Sequence, residues 1–268
     1  MNEQKKFFTY GLETLDDTGH IKDHFYICNY FEKYAIRVDS PEQADYILVT
    51  GGDGKMLEAI GKFWQFGKPF FGLNYGHIGF LLNEPNKPTN AISELCRDKV
   101  TIIESKLLEI WLRKKNLDII AQHHAFNDFV IERTQPQSAK INVTIDEDEY
   151  FSPLTCDGII VSTAAGSTGY NGSAGGVIVP INTNSLVLTG ISPAVFENWR
   201  SSQLSETSQI VLTPVERAKR PVRFIADGNQ LEDCHNVLIK VSEQHTVRLA
   251  FLNSQAFQKK VLRLQFNR

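Results

Sequence analysis

The sequence predicts an α/β N-terminal domain with a mostly parallel sheet, followed by a C-terminal antiparallel β-rich domain. Three observations support this prediction. Over about the first hundred residues, short apolar runs alternate with stretches of helical spacing, and two of these runs end in glycine-bearing loops. From about residue 100 the pattern changes to short β-branched segments in which apolar and polar residues alternate. We therefore place the α/β domain at residues 1–98 and the β-rich domain at 99–251, and expect the apolar tail, 252–268, to pack back on the first domain.

In the first domain, strands and helices are predicted in alternation. Residues 6–10 form a first strand, and residues 21–34 form a helix because their apolar side chains recur at helical spacing. The apolar run 44–50 is a buried strand that feeds directly into a glycine loop. Residues at helical spacing then predict a second helix, namely Met56, Ile60 and Phe63. The next strand, 69–73, ends in a glycine-bearing turn at 74–80, and open α/β sheets bind their ligands at such loops.

In the second domain, seven short segments alternate as antiparallel strands do. These are residues 101–104, 106–113, 141–145, 209–214, 222–226, 236–241 and 246–251.

Composition limits the function classes. The chain has 268 residues, 42% of them hydrophobic, and a net charge of −3, which argues against a protein that binds nucleic acid over a broad basic face. The sequence has neither a signal-peptide core nor an apolar stretch that approaches a membrane span, so we expect no membrane partner and a cytoplasmic location. The four cysteines stand far apart, and we expect reduced thiols and no protein-held metal site.

The first glycine loop, Gly51-Gly52-Asp53-Gly54, follows a predicted strand and precedes a predicted helix. It lacks the spacing of a Walker A loop and of a dinucleotide-binding fingerprint. A helix N-terminus here would offer N–H groups and the positive end of the helix dipole to an anion, with one carboxylate beside it. A bare strand-to-helix turn is about as probable for so short a motif.

The second glycine-rich run, DGIIVSTAAGSTGYNGSAGG, places six glycines and six hydroxyl side chains in the twenty residues from 157 to 176. Glycine backbone can approach a ligand closely and hydroxyls can donate or accept, so this run suits a polar, phosphate-bearing molecule. Ser167 lacks the spacing of a nucleophile elbow, which disfavours a hydrolase.

Shorter motifs have ordinary structural explanations when taken singly. Asn127–Asp128 is typical of a turn before a strand, and Asp157–Gly158 and Asp227–Gly228 are common turn dipeptides. His123 and His124 are not expected to act as a ligand pair, because adjacent strand residues face opposite sides.

Taken in order, GGDG, ND, DGxxVSTxxGSTxYxxSAGG, ISP and ADG, these motifs make the chain resemble the NAD kinase family from about residue 44 to 230. The resemblance implies a two-domain enzyme that phosphorylates the 2'-hydroxyl of the adenosine ribose of NAD, using ATP with a divalent cation (Mg²⁺ or Mn²⁺), to give NADP and ADP. It also implies a homotetramer.

The same resemblance implies roles for individual residues. Asp53 matches the catalytic acidic residue. The loop that matches the family's donor-phosphate loop contains Gly51, Gly52, Gly54 and Lys55. The positions that match NAD contacts are Asp53, Gly54, Phe80, Asn127, Asp128, Asp157, Ala165, Thr168, Gly169, Tyr170, Ser173, Ser192 and Ala194. Lys55 departs from the family's usual Thr and adds a positive charge that could hold ATP or polyphosphate, although a solvated lysine is the commoner outcome.

Two alternatives remain at this stage. A lipid or alcohol kinase of the same superfold would need an apolar acceptor groove where this chain has hydroxyls. A non-catalytic NAD(H) or NADP(H) sensor would keep the binding loops, but the presence of Asp53 with its glycines weighs against it.

Overall fold

The computed structural model describes residues 4–11, 35–75, 79–84, 88–194 and 199–253. The predicted helix at 21–34 and the tail beyond residue 253 lie outside these ranges. By its internal contacts the chain divides into two compact units, and their described residues lie within 4–105 and 246–253 for the first unit and within 106–245 for the second. Both boundaries between the units fall inside long strands, whereas the domain boundaries predicted from the sequence were placed at the ends of elements.

The described elements of the first unit are short strands and two helices. They are β1 (Lys6–Gly11), β2 (Ile36–Arg37), β3 (Tyr46–Gly51), α1 (Asp53–Phe63), β4 (Phe70–Asn74) and α2 (Pro88–Cys96), with 3-10 turns at Pro41–Gln43 and Trp64–Phe66. Two long strands, β5 (Val100–Arg113) and β16 (Asn236–Leu252), cross from one unit to the other in sequence.

In the first unit the strands β2-β1-β3-β4-β16 pair in that order, and these four pairings are parallel. The predicted parallel α/β class is therefore confirmed. The core lies between α2 and one face of this sheet and includes Phe7, Leu48, Phe71 and Ile92. Asn83 is fully buried and ties two strands together, because its amide donates to the carbonyls of Gly72 and Ala250.

The second unit contains the remaining strands and two short helical segments. They are β6 (Ile119–Ala125), β7 (Asp128–Arg133), β8 (Ala139–Ile145), β9 (Asp148–Cys156), β10 (Gly158–Thr163), a 3-10 turn (Ala165–Thr168), α3 (Tyr170–Ser173), β11 (Ser185–Ile191), β12 (Ser201–Ser205), β13 (Ile210–Pro214), β14 (Val222–Ala226) and β15 (Asn229–Gln230).

These strands form two groups that share one core. The first runs β16-β13-β8-β9, with β5 pairing both β16 and β6; the second runs β12-β11-β10-β7-β14-β15 and is antiparallel throughout. Leu108, Ile141 and Val237 from the first group are buried with Phe129 and Ile159 from the second. The predicted antiparallel class is confirmed, and the segments expected as four strands, 101–104 with 106–113 and 236–241 with 246–251, are two continuous ones. No helix among the described residues is long and apolar enough to cross a membrane.

Candidate active-site elements in each unit

The GGDG loop is a sharp strand-to-helix connection. Strand β3 ends at Gly51, Gly52 is the N-cap of α1, and Asp53 is its first residue. Gly51 has φ +150, and a Cβ there would lie 2.8 Å from the Cβ of Lys55, so the turn requires glycine. A Cβ on Gly54 would have no described atom within 4 Å. Packing does not demand glycine at Gly54, which is exposed in the first turn of α1.

The Asp53 carboxylate is held by two backbone donors of the segment that follows β4. Its Oδ2 accepts the N–H of Phe80 and its Oδ1 accepts the N–H of Leu81, each at 2.9 Å. Phe80, which matches an NAD contact of the family, is thereby fixed to the same carboxylate. These bonds set the orientation of Asp53, and they also mean that Asp53 has a structural role of its own.

Lys55 lies in an ion-pair network on α1. Its ammonium is 2.7 Å from Glu58 and 5.4 Å from the ring centroid of Tyr10, and Lys62 contacts the other oxygen of Glu58 at 2.8 Å. Hydrogen bonds from Lys55, Lys62 and Tyr10 lower the pKa of Glu58 to about 2. The predicted contact of Lys55 with donor phosphates would therefore require it to leave Glu58.

The second group of strands, β12-β11-β10-β7-β14-β15, is called the second sheet below. The ends of β10 and β14 and the beginning of β7 meet at one end of its strands, called the Asn127 edge. Strand β10 ends at Thr163 where antiparallel β7 begins at Asp128, with Ser162 paired to Asp128. Strand β14 ends beside them, with Ala226 paired to Phe129. Motifs that are far apart in the sequence, ND, VST and ADG, are therefore brought together at this edge.

Asp227 organises that edge. Its carboxylate accepts the N–H groups of Phe126 at 2.6 Å, Asn127 at 2.8 Å and Asp128 at 3.1 Å. Asp227 and Gly228 both have positive φ, 45° and 79°, and form the two-residue turn of the β14–β15 hairpin. The turn was predicted, but the three hydrogen bonds were not.

Asn127 presents a polar atom without a partner. Its carbonyl oxygen accepts the N–H of Thr163 at 2.9 Å, which fixes its backbone. Its side-chain Oδ1 is buried and has no hydrogen-bond partner among the described residues, and its Nδ2 lies 3.7 Å from where a Cβ on Gly169 would be. An unsatisfied buried amide oxygen is costly. It is therefore a position at which a ligand N–H would be favoured.

The part of the glycine-rich run that follows β10, residues 164–176, is an ordered segment on the second sheet, called the cover below. The Asn171 amide donates to the carbonyls of Ser167 and Val177 and accepts the hydroxyl hydrogen of Thr189 at 2.6 Å. The Ser167 hydroxyl is fully buried, lies 2.7 Å from the carbonyl oxygen of Ala164 and accepts the N–H of Val179. Ser167 therefore has a structural role. Asn171, which sequence reasoning missed, holds this segment in place through its three hydrogen bonds.

Glycine is required where this cover meets the Asn127 turn. A Cβ on Gly166 would lie 2.1 Å from the carbonyl oxygen of Asn127, so only glycine fits. Ala165 is buried, and Thr168 is half-buried with its hydroxyl 3.5 Å from the carbonyl oxygen of Ala165. Gly166 therefore packs against the Asn127 backbone, and Gly169 lies near the Asn127 side chain.

Two further predicted residues of the cover are exposed. The Tyr170 hydroxyl donates to Glu132 at 3.4 Å, and the Ser173 hydroxyl lies 3.4 Å from the carbonyl oxygen of Gly169. Partial burial and the charge of Glu132 raise the pKa of Tyr170. Both side chains stay accessible to a ligand.

Three predicted residues lie at the other end of β10. Asp157 is at the bend between β9 and β10 and pairs with Arg133 at 2.6 Å. Ser192 has φ 48°, and the exposed Ala194 donates its N–H to Thr155 at 2.8 Å. At about 3.3 Å per residue, β10 separates this group from Thr163 by roughly 20 Å. Within one chain the structure does not bring these residues to the Asn127 edge.

Comparison with known proteins gives a consistent family. The family model of the ATP-NAD kinase N-terminal domain matches residues 3–99, and that of the ATP-NAD kinase C-terminal domain matches residues 126–249. The NAD kinase of Brucella suis biovar 1 (strain 1330) is 33% identical over 84% of this chain and 86% of its own length. The NAD kinase of Rickettsia felis is 32% identical over 84% and 87%.

Solved structures share the fold. Yeast NADH kinase complexed with NADH matches with a TM-score of 0.82 at 19% identity, covering 99% of this chain and 89% of that one. An NAD kinase from Archaeoglobus fulgidus in complex with ATP matches with a TM-score of 0.71 at 24% identity, covering 96% and 98%.

The charge state of Asp128 gives a prediction about stability. Burial, and then the charge of Asp227, raise the pKa of Asp128 from 3.8 to about 7. Because the folded-state pKa lies above the unfolded one, this carboxyl favours folding fully below about pH 4 and its contribution is lost as the pH rises through 7. The whole change corresponds to at most about 4 kcal/mol.

We therefore expect Asp128→Asn, which cannot ionise, to gain stability relative to the wild type as the pH rises from 5 to 8. Urea unfolding of both proteins at several pH values measures the difference. A difference that stays constant with pH would show that Asp128 does not titrate in this range.

Proposed function

This chain belongs to the ATP-NAD kinase family, and we propose specific roles for its residues in the NAD kinase reaction. The chain is an NAD kinase, and the lipid-kinase and sensor alternatives are not favoured. We propose that it transfers the γ-phosphoryl group of ATP to the 2'-hydroxyl of the adenosine ribose of NAD, giving NADP and ADP. The observation that carries the residue assignment is the buried, unpartnered Oδ1 of Asn127.

The second unit holds the adenosine in this proposal. An adenine amino group is an N–H donor, and donation to the Asn127 Oδ1 would satisfy that oxygen. Thr168, Gly169, Tyr170 and Ser173 lie on the cover beside it and can reach sugar and base atoms. Asp128 then contacts the ribose, with its raised pKa allowing it to donate a hydrogen bond as well as accept one.

The first unit holds the donor phosphates and acts on the nucleophile. The first-turn N–H groups of a helix have no partner within that helix, so the start of α1 at Gly52, Asp53 and Gly54 can bind phosphate oxygens. Asp53 hydrogen-bonds the ribose 2'-hydroxyl. As the 2'-oxygen bonds to the γ-phosphorus, the bond from that phosphorus to ADP breaks and Asp53 accepts the hydroxyl proton.

A divalent cation, Mg²⁺ or Mn²⁺, would enter with the ATP phosphates. Mg²⁺ keeps several waters and binds proteins through one or two carboxylates. Of the two acidic residues on α1, Glu58 is engaged by Lys55 and Lys62. Asp53, the acidic residue at the start of α1, would hold a hydrated ion at this loop while its oxygens also accept the N–H groups of Phe80 and Leu81, and the ion would supply charge neutralisation of the phosphates.

A catalytic Asp53 is testable because the chain offers a matched control. We expect Asp53→Asn to lower kcat by roughly two to four orders of magnitude, the scale of general acid–base assistance, with little loss of NAD affinity. The measurement is NADP formation from NAD, ATP and Mg²⁺ in a coupled assay, with direct NAD titration for affinity.

The competing explanation is that Asp53 only anchors Phe80 and Leu81. In that case Asp53→Asn would lower the melting temperature while the folded enzyme kept its turnover. Asp45→Asn is the control, since the exposed Asp45 also accepts one backbone N–H, that of Lys6 at 2.8 Å, and should leave kcat unchanged. Near wild-type turnover in Asp53→Asn would remove Asp53 from the mechanism.

A second prediction tests how the adenosine is positioned. Asn127→Ala should raise KM for NAD and also lower kcat, because a ribose displaced by about 1 Å no longer presents its 2'-oxygen in line with the γ-phosphorus. Asn142→Ala, at a half-buried position on β8, should change neither constant. If Asn127 merely closes a turn, its truncation will lower the melting temperature and leave both constants as they were.

We also propose a cytoplasmic homotetramer. The described cysteines are all free thiols, as expected in a reducing compartment. Large apolar side chains are exposed on the β5–β6 and β8–β9 hairpins, with Leu117 59%, Ile119 61% and Tyr150 61% exposed. Burial against another copy of the chain would explain why apolar side chains occupy these exposed positions. It would also let Asp157, Ser192 and Ala194 serve a neighbouring copy's nucleotide.

Sedimentation tests the assembly. The wild type should sediment as a tetramer, and Leu117→Glu combined with Ile119→Glu should shift it to smaller species. Ile36→Glu is the control, because Ile36 is 42% exposed but lies in the first unit. An active wild-type monomer at assay concentration would overturn the proposal.

A further inference from the structure

A cluster of one acid and two imidazoles lies on the second unit, outside the residues assigned above. Strand β5 pairs with both β6 and β16. Glu109 of β5 is directly opposite His124 of β6 in the antiparallel register, and β16 carries His245. One potential ligand atom from each of these three residues lies within 4.8 Å of the other two. Three adjacent strands thus bring three metal-binding side chains to one place.

We propose that Glu109, His124 and His245 form a binding site for a first-row divalent metal ion, of which Zn²⁺ fits best. Two imidazoles and a carboxylate are an established zinc donor set, and they leave a fourth position for water. Ligand atoms around a tetrahedral zinc ion lie about 3.3 Å apart, so binding requires each side chain to move by about 1 Å. Mg²⁺ prefers oxygen ligands in octahedral geometry and fits this cluster poorly.

Ser242 forms hydrogen bonds to two members of the cluster, as residues behind the ligands of a metal site do. The carboxylate of Glu109, which is buried, accepts the hydroxyl hydrogen of Ser242 at 2.7 Å. The same Ser242 oxygen accepts the backbone N–H of His245 at 3.0 Å. One hydroxyl therefore links the carboxylate on β5 to the backbone of the imidazole on β16, and such contacts orient metal ligands.

The two imidazoles contact each other edge to face. The rings of His124 and His245 are nearly perpendicular, with an interplanar angle of 86° and centroids 4.8 Å apart. Both residues are half-buried, so an ion can reach them from solvent.

The competing explanation is that the Glu109 carboxylate has a purely structural role. Lys240 lies 3.6 Å from the second oxygen of Glu109 and 5.1 Å from the Trp111 ring centroid, so Glu109 already has a counter-charge. Under that explanation the imidazoles only pack against each other. The two explanations differ in one measurable quantity, the affinity of the folded chain for Zn²⁺.

The test is calorimetric titration of the full chain with Zn²⁺ after chelator dialysis, in excess Mg²⁺ and without NAD or ATP. We expect one Zn²⁺ per chain. His124→Gln and His245→Gln should each weaken binding by at least about a hundredfold, and Ser242→Ala by roughly ten- to a hundredfold. Because no kinase substrate is present, the outcome is independent of the residue roles proposed for catalysis.

His123→Ala is the matched control. His123 is adjacent to His124 but faces the other side of the strand and contacts Glu232 at 2.8 Å, so this variant should bind Zn²⁺ as the wild type does. Melting temperatures without metal check that all variants are folded. The proposal is overturned if the wild type takes up no Zn²⁺ at micromolar concentration, or if both glutamine variants bind it as tightly as His123→Ala does.

Discussion

The three hydrogen bonds accepted by the Asp227 carboxylate are the constraint on which the second unit's site depends. They gather the N–H groups of Phe126, Asn127 and Asp128 around one point, and so determine how the chain passes from β6 to β7. Burial raises the pKa of Asp227, and these three donors oppose that rise. Burial, and then the charge of Asp227, raise the pKa of the neighbouring Asp128 to about 7, so the two carboxyls at this turn are coupled.

The glycine-rich cover depends on the same turn. Gly166 fits only because it has no side chain to meet the carbonyl oxygen of Asn127, and a Cβ on Gly176 would likewise lie 2.2 Å from the side chain of Asn171. Several of the hydroxyls that made the run appear suited to a ligand are used internally. Ser167 is fully buried in such bonds, and Thr163 bonds the carbonyl of Phe126 at 2.7 Å. These internal hydrogen bonds order the run, and in the proposed adenosine site that order would reduce the entropy lost on binding.

Sequence patterns predicted the features that depend on neighbouring residues. The strand, glycine turn and helix at residues 46–63, the parallel and antiparallel classes, and the Asp227–Gly228 turn are all local signals. The features that were missed depend on distant pairs. The residue patterns of β9 and β10 give no sign that the bend at Asp157 passes the chain from one sheet to the other. Nor could spacing show that Asn171 bonds Thr189, or that His245 joins His124, since those contacts exist only after the sheets have formed.

Both units use one device, an aspartate whose carboxylate receives successive backbone N–H groups. Asp53 receives those of Phe80 and Leu81, and Asp227 receives three from the β6–β7 turn. The device orders a loop through its main chain, so it leaves the loop's side chains available for ligands. The two cases differ in placement. Asp227 is enclosed by the turn that it organises, whereas Asp53 stands at the N-terminus of α1, next to a glycine with open space around it. If the start of α1 binds the donor phosphates, as proposed, the anchored Asp53 carboxylate is held at a fixed distance from them, and a fixed distance is what proton transfer during in-line attack requires.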